Sequence, residues 1–296
     1  MKKVLSLALV AVLVVALFAG CAPNEPKKVV IGSKPMTEQF IIVEMMKLLI
    51  EKETDIEVEL KTGIAGGTSN IHPAMINGEI DMYPEYSGTG WMFVLKQDLI
   101  NDPEELYAKT QEQYMSEFNF VWMNPYGFNN TYALAVRKED PKMAAVDSYT
   151  DLANASGQLR LGAEYDFYER EDGYPALSKE YGFAFGDQVE LEIGLKYAAI
   201  GEGEVDVINA FSTDGLLKEY NLKVLNDDKY FFPSYHASTV VRQETLDKYP
   251  ELKDVLEKLT NAISDDDMIE LNYRVDFMKE DPKAVAEDFL TQKGLY

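Results

Sequence analysis

Residues 29–83 read VVIGSKPMTEQFIIVEMMKLLIEKETDIEVELKTGIAGGTSNIHPAMINGEIDMY. Val29-Val30-Ile31 is a short apolar run closed by Gly32, the signature of a buried strand. From Thr37 to Glu53, apolar residues fall at Phe40, Ile41, Met45, Leu48 and Leu49, a helical spacing. Ile56 to Lys61 alternates apolar and polar residues, which is strand spacing. Gly63 to Gly67 makes a turn. Thr68 or Ser69 can cap a helix running to about Asn77, and Gly78 stops it. Ile80 to Tyr83 is strand-like again. The order β-α-β-α-β predicts a parallel sheet with helices on its faces.

The middle of the chain repeats this logic. Strands are expected at Tyr132–Arg137, Leu159–Ala163, Val205–Phe211 and Leu222–Leu225. Helices are expected at Ser148–Ala155, Gly173–Tyr181 and Thr213–Tyr220. After Phe231-Phe232-Pro233 one more strand follows, Ala237–Val241. From about Glu244 the chain reads as two or three helical segments, the last opening at Asp281-Pro282 with proline in its first turn. Two α/β blocks, the second inserted before a helical tail, predict two lobes. One comprises residues 29–130 plus 236–296 and the other residues 131–235. The chain would cross between them near Asn130–Tyr132 and Ser234–His236. A cleft between lobes, at the carboxyl ends of strands, is where small ligands usually sit.

The N-terminus carries an address. Lys2 and Lys3 precede an apolar run from Val4 to Ala16, and Phe18-Ala19-Gly20-Cys21 follows. A positive start, a short apolar core and small residues before a cut make a secretory signal over residues 1–20. The run is too short for a spanning helix. Cys21 directly after Ala-Gly resembles the bacterial lipobox, which implies acylation of Cys21. Phe18 departs from the leucine usual three residues before that cysteine. The other readings are an uncleaved anchor or plain secretion. Residues 21–28 are a polar, proline-bearing tether. Cys21 is the single cysteine, so no intrachain disulfide can form. Loss of residues 1–20 would leave 276 of the 296 residues, enough for two modest lobes. The net charge of −23 and the lack of any basic run argue against nucleic acid.

Familiar catalytic patterns are missing. There is no Gly-x-Ser-x-Gly elbow. Gly63-Ile64-Ala65-Gly66-Gly67-Thr68 lacks the lysine of a phosphate loop. His72 and His236 are too few and too far apart for a paired-histidine metal site. Asp265-Asp266-Asp267 lacks the spacing and glycine of a calcium loop, and reads as a helix start. The expectation is no catalysis, no metal and no cofactor.

Six segments carry a binding argument: Ile31–Gln39, Gly66–Ala74, Gly78–Thr89, Gly127–Leu134, Phe211–Gly215 and Phe231–Tyr235. Together they resemble the substrate-binding lipoproteins of osmoprotectant ABC importers, the glycine betaine, choline and carnitine group. The resemblance runs over nearly the whole mature chain. Tyr83-Pro84-Glu85-Tyr86-Ser87-Gly88-Thr89 and Gly127-Phe128-Asn129-Asn130-Thr131-Tyr132-Ala133 are its most specific parts. It implies an α/β, two-lobed periplasmic-binding-protein fold of type II. It also implies partnership with an ABC permease and its ATPase, and a monomeric protein lipid-anchored outside the cytoplasm.

The resemblance places an aromatic cage at Tyr86, Tyr132, Phe211 and Tyr235. The chemistry agrees: a trimethylammonium group donates no conventional hydrogen bond, so aromatic faces must attract it. Phe211 departs from the tyrosine common at its position. The competing reading of each aromatic is core packing. The resemblance also implies carboxylate partners at Lys34, Thr89 and Arg170. Arginine offers a planar fork matched to a carboxylate. Arg170 could equally make a surface ion pair with Glu169 or Asp172. Asn130 stands where related proteins have an acidic residue, and is a candidate polar contact. Rival readings are another trimethylammonium zwitterion such as ergothioneine, and a lipid-anchored enzyme or sensor acting on quaternary amines.

Overall fold

A computed structural model describes residues 26–164, 167–168, 173–191 and 193–296. The signal segment, Cys21 and Arg170 lie outside the described residues. Two five-stranded sheets organise the chain. The first begins with β1 (Lys28–Gly32), α1 (Thr37–Glu53), β2 (Glu57–Lys61), α2 (Thr68–Ile76) and β3 (Met82–Tyr86). A π-helical turn at Thr89–Val94, α3 (Pro103–Phe118) and β4 (Phe120–Trp122) follow. The second sheet comes from β5 (Tyr132–Arg137), α4 (Tyr149–Ala155), β6 (Arg160–Ala163), α5 (Tyr174–Tyr181), β7 (Asp187–Glu190), α6 (Ile193–Gly201), β8 (Val207–Phe211), α7 (Leu216–Glu219) and β9 (Leu222–Val224). The chain then returns as β10 (Ala237–Arg242) and ends in α8 (Gln243–Lys248), α9 (Glu251–Glu257), α10 (Asp265–Asp276) and α11 (Pro282–Gln292).

The first sheet has the order β2-β1-β3-β10-β4 and the second β7-β6-β8-β5-β9. The expected parallel sheet holds for β1, β2 and β3, but β10 runs antiparallel to both β3 and β4. The reason is topological: β10 re-enters the first sheet from the second, against the direction of the strands built by βαβ crossovers. In the same way β5, which enters the second sheet, is antiparallel to β8 and β9.

Helix α1 is buried at ten of its seventeen positions, including Ile41, Met45, Leu48 and Leu49. Its wide apolar surface packs between the first sheet and the C-terminal helices, in one core with Val58, Leu252, Leu271 and Phe289. The second sheet has its own cores, one around Leu134, Leu161 and Phe232 and another around Ile208 and Leu217.

Several boundaries differ from the sequence reading. β3 does not end at Tyr83: it runs through Pro84 to Tyr86, pairing with β10 along all five residues. Neither Thr68 nor Ser69 caps α2. Gly67 holds the cap position, and the Thr68 hydroxyl donates to Glu85 Oε2 at 2.6 Å instead. The helix expected from Thr213 shrinks to Leu216–Glu219, because Asp214 N–H closes a turn on Phe211 O at 3.0 Å. The tail forms four helices rather than two or three. Asp265 does open a helix, capped by Ser264 in a reciprocal capping box with Asp267.

The two connections between sheets lie side by side. Asn129 bridges His236 in antiparallel fashion, and Asn130 N–H donates to Tyr235 O at 3.3 Å. A second contact joins the lobes through α10. Asn272 Nδ2 donates to Thr213 O at 2.9 Å, and Tyr273 OH donates to Glu219 at 3.0 Å. Lys218 pairs with Glu270 beside them. Gly215 touches the α10 backbone so closely that a Cβ there would lie 2.6 Å from Tyr273 N. Gly215 has ordinary helical angles (φ −61°), so a side chain is barred by the neighbour and not by its own backbone. Gly215→Val should therefore wedge α7 away from α10. The expected result is a larger radius of gyration in small-angle scattering and a stability loss of about 1–3 kcal/mol in chemical denaturation.

Candidate functional site

A cavity of about 360 Å³ opens between the two sheets beside the paired connections. The elements that line it converge for local reasons. The turn before α1 brings Lys34 and Met36, and the first turn of α1 brings Thr37 and Glu38. β3 ends at Tyr86, and Thr89 follows after Ser87-Gly88. The two connections carry Asn130, Tyr132 and Tyr235. The end of β8 and its turn supply Phe211 and Asp214, and α10 supplies Asn272 and Asp276. Tyr86, Tyr132, Phe211, Tyr235, Lys34, Thr89 and Asn130, seven of the expected site residues, thus share one cavity. A larger cavity of about 780 Å³ shares only Tyr132 with the expected set, so the smaller one is the candidate site.

Tyr132 and Phe211 are cross-strand partners of β5 and β8. Their ring centroids are 4.7 Å apart and the planes are tilted by 32°. Behind Tyr132 stand Phe232 and Phe167, with centroids at 5.7 and 6.1 Å. Phe211 is 40% exposed, unusual for a large aromatic ending a strand and consistent with a face left open to a ligand.

On the other side of the cavity Tyr86 is buried, and its hydroxyl donates to Glu38 Oε1 at 2.5 Å. Burial first, and the Glu38 carboxylate second, push the Tyr86 hydroxyl well above the usual tyrosine range. Lys34 reaches the cavity wall, but its ammonium forms a buried ion pair with Glu85 and sits 4.7 Å from the Tyr86 ring centroid. Glu85 also accepts from Tyr83 OH at 2.9 Å and from Tyr86 N–H at 2.8 Å. Lys34 therefore sits at the expected place with its charge already balanced.

Sequence reasoning passed over Glu38, Asp214, Asn272 and Asp276. Glu38 lies on the first turn of a helix, where an acid has a routine explanation in the helix dipole. Its burial lifts its carboxyl above the ordinary range, against the lowering pull of Tyr86 and Asn130. Asp214 is likewise raised by burial, although it accepts from Tyr197 OH and from Phe211 N–H at 3.1 Å. Asn272 is 6% exposed in the middle of α10, and a buried amide inside an amphipathic helix is a signal the sequence did offer. Three carboxylates face this cavity, and Lys34 is the single cation among its described lining residues. Among the described residues no cluster of His, Cys, Asp and Glu could hold a metal ion.

Gly88 fixes the fourth aromatic. A Cβ on Gly88 would lie 2.8 Å from both Tyr235 Cε1 and Ser234 O. The Gly88 backbone is helical (φ −62°, ψ −37°), which suits alanine. Gly88→Ala should therefore displace the Tyr235 ring while leaving the secondary structure intact. The near-ultraviolet circular dichroism should change with an unaltered far-ultraviolet spectrum, and thermal melting should show a loss of about 1–3 kcal/mol.

Comparisons with known proteins agree on one family. The family model described as the substrate binding domain of ABC-type glycine betaine transport system matches residues 27–292. The carnitine transport binding protein OpuCC of Listeria monocytogenes is 37% identical over 303 aligned positions, covering 100% of this chain and 98% of its own. The ergothioneine transport permease/ergothioneine binding protein EgtU of Helicobacter pylori is 44% identical over 92% of this chain, and this chain spans about half (48%) of its length. A solved glycine betaine/carnitine/choline ABC transporter structure superposes with a TM-score of 0.86 at 39% identity, covering 90% of this chain and 99% of that one. The chain belongs to the family of substrate-binding domains of ABC-type glycine betaine transport systems, with the two-lobed fold of periplasmic binding proteins.

Proposed function

We propose that this protein captures a quaternary-ammonium solute in a cage of Tyr86, Tyr132, Phe211 and Tyr235 and delivers it to its permease. The observation that carries this reading is the convergence of those four rings, drawn from both lobes, on one cavity of about 360 Å³. That volume lies within the range of small-molecule pockets. A trimethylammonium group offers no N–H, so attraction to aromatic faces and nearby carboxylates is what can hold it. Glu38, Asp214 and Asp276 supply the negative surroundings. Because Tyr86 comes from one lobe and Tyr132, Phe211 and Tyr235 from the other, the cage is complete only when the lobes are together. The ligand then shifts the hinge equilibrium by its preference for the closed state.

For the other end of the solute, Thr89, Asn130, Lys34 and Arg170 are the proposed polar partners. Lys34 contributes least in this reading, since Glu85 already neutralises it. The proposed setting is extracytoplasmic. The signal would end at Gly20, Cys21 would carry the lipid, and the lobes would divide at residues 130/131 and 235/236. The proposed protein is a monomer without catalytic activity or cofactor. Among the described residues no helix is long and apolar enough to cross a membrane, so the proposed attachment rests on Cys21. The EgtU relative favours a second solute, a trimethylated imidazole-thione zwitterion, in the same cage.

Isothermal calorimetry with glycine betaine, carnitine, choline and ergothioneine tests the reading directly. At least one should bind saturably with one site per chain, and silence toward all four with folded protein would refute it. Tyr86→Ala and Tyr235→Ala should each weaken binding about ten-fold, the effect of losing one desolvated cation–π face. Full affinity in the double variant would mean the cage lies elsewhere.

A further inference from the structure

The paired connections divide two cavities. Asn129 and His236 bridge in antiparallel fashion, so successive side chains on each connection point to opposite faces. Asn129, Thr131, Ser234 and His236 line the larger cavity of about 780 Å³, whereas Asn130 and Tyr235 line the smaller one that holds the cage. The division continues where α7 meets α10. Thr213, Gly215 and Asn272 line the cage cavity, and Lys218, Ile269 and Glu270 line the other. The two cavities therefore lie back to back, with the connections as the wall between them. Each is bounded by both lobes: the rear cavity has Asn101 and Asp266 on the first lobe, Lys223 and Tyr230 on the second. Two bodies joined at such a wall turn about it as about a hinge. Rotation that parts the lobes at the cage brings them together behind it, so the rear cavity is the room the lobes need in order to open at the front.

We propose that the rear cavity sets solute affinity from outside the cage. Its free space decides how far the lobes open, and so what fraction of the ligand-free protein is already closed. Residues on its wall, Asn101 and Asp266 among them, then tune affinity without lining the cage. This rests on the hinge closure proposed above and extends it to side chains on the far side of the connections. A solute that binds only the closed form has an apparent dissociation constant equal to the intrinsic one divided by the closed fraction. With about one molecule in ten closed, filling the rear cavity tightens binding about ten-fold. Asn101 and Asp266 suit the test because both are exposed. Asp266 lies in the first turn of α10, between the capping partners Ser264 and Asp267, which a change at 266 leaves in place.

Asn101→Trp and Asp266→Trp place a large ring in the rear cavity from two separate elements, so one still reports if the other fails to fold. Leu195→Trp is the control, at a position 59% exposed and lining neither cavity. Small-angle scattering without solute is the first measurement. The two rear variants should have a smaller radius of gyration than wild type and approach the curve of the closed arrangement, with Gly215 against Tyr273. Calorimetry with glycine betaine, carnitine, choline and ergothioneine is the second. Whichever solute binds wild type should bind the rear variants about ten-fold more tightly, and the control with wild-type affinity. Unchanged scattering and affinity in both rear variants would overturn the proposal. Weaker binding would overturn it as well, since the rear cavity would then have to shrink on closing. Equal tightening by Leu195→Trp, or a wild type already as compact as the closed arrangement, would also count against it. If no solute binds any form, the cage reading fails, and the scattering alone decides on the rear cavity.

Discussion

Asn129 is the knot on which the site depends. Its side-chain carbonyl accepts Tyr235 N–H at 2.6 Å, its backbone carbonyl accepts the Ser212 hydroxyl at 2.6 Å, and its own N–H donates to Asp265 at 2.8 Å. One residue thereby ties together both passages of the chain between the sheets, the turn after β8 and the start of α10. Asn130 and Tyr132 follow it directly, and Tyr235 lies opposite. Those side chains can converge on one cavity because the backbone beneath them is paired and cannot slide. Phe211 is held by the same web, one residue before Ser212, and by its register with Tyr132.

Around that frame the charges are arranged with some economy. A buried lysine is tolerable only when paired, and Lys34 is paired with a glutamate that also has Thr68, Tyr83 and a backbone N–H as donors. A second buried pair, Lys196 with Glu164, sits under the other lobe, where Asn209 also donates to Glu164. With those cations matched, neither lysine is left over to pair with the acidic side chains that line the cavity. The net charge of −23 adds a long-range attraction for cations, screened beyond about 10 Å at moderate salt.

Much of the fold is legible in the sequence because burial leaves a periodic trace. Thr37–Glu53 and Tyr132–Arg137 can be bounded to the residue, the first by its helical spacing and the second by an unbroken apolar run. Other elements leave no such trace. β3 contains Pro84, which punctuates by rule, yet tertiary pairing with β10 carries the strand through it. α3 is mostly polar, and sequence inspection passes over it although Asp102 caps it and Pro103 opens it. At the site, the aromatic positions are legible through family resemblance, since their ring faces meet only in three dimensions. Glu38 and Asn272 are not legible as a pair: 234 positions separate them, and only the fold brings both to the cavity.

The contact between Gly215 and the backbone of Tyr273 bears on how solute size is sensed. It is a meeting of main chains, with no side chain to compress. If the lobes close as proposed, this contact would be the end-stop of the hinge, and the smallest volume of the cavity would be set by the polypeptide and not by its cargo. A small solute would let the hinge travel to the stop, and a bulky one would halt it early. Dimensions of a molecule a few ångströms across would then be converted into an angle between lobes, which a permease could read.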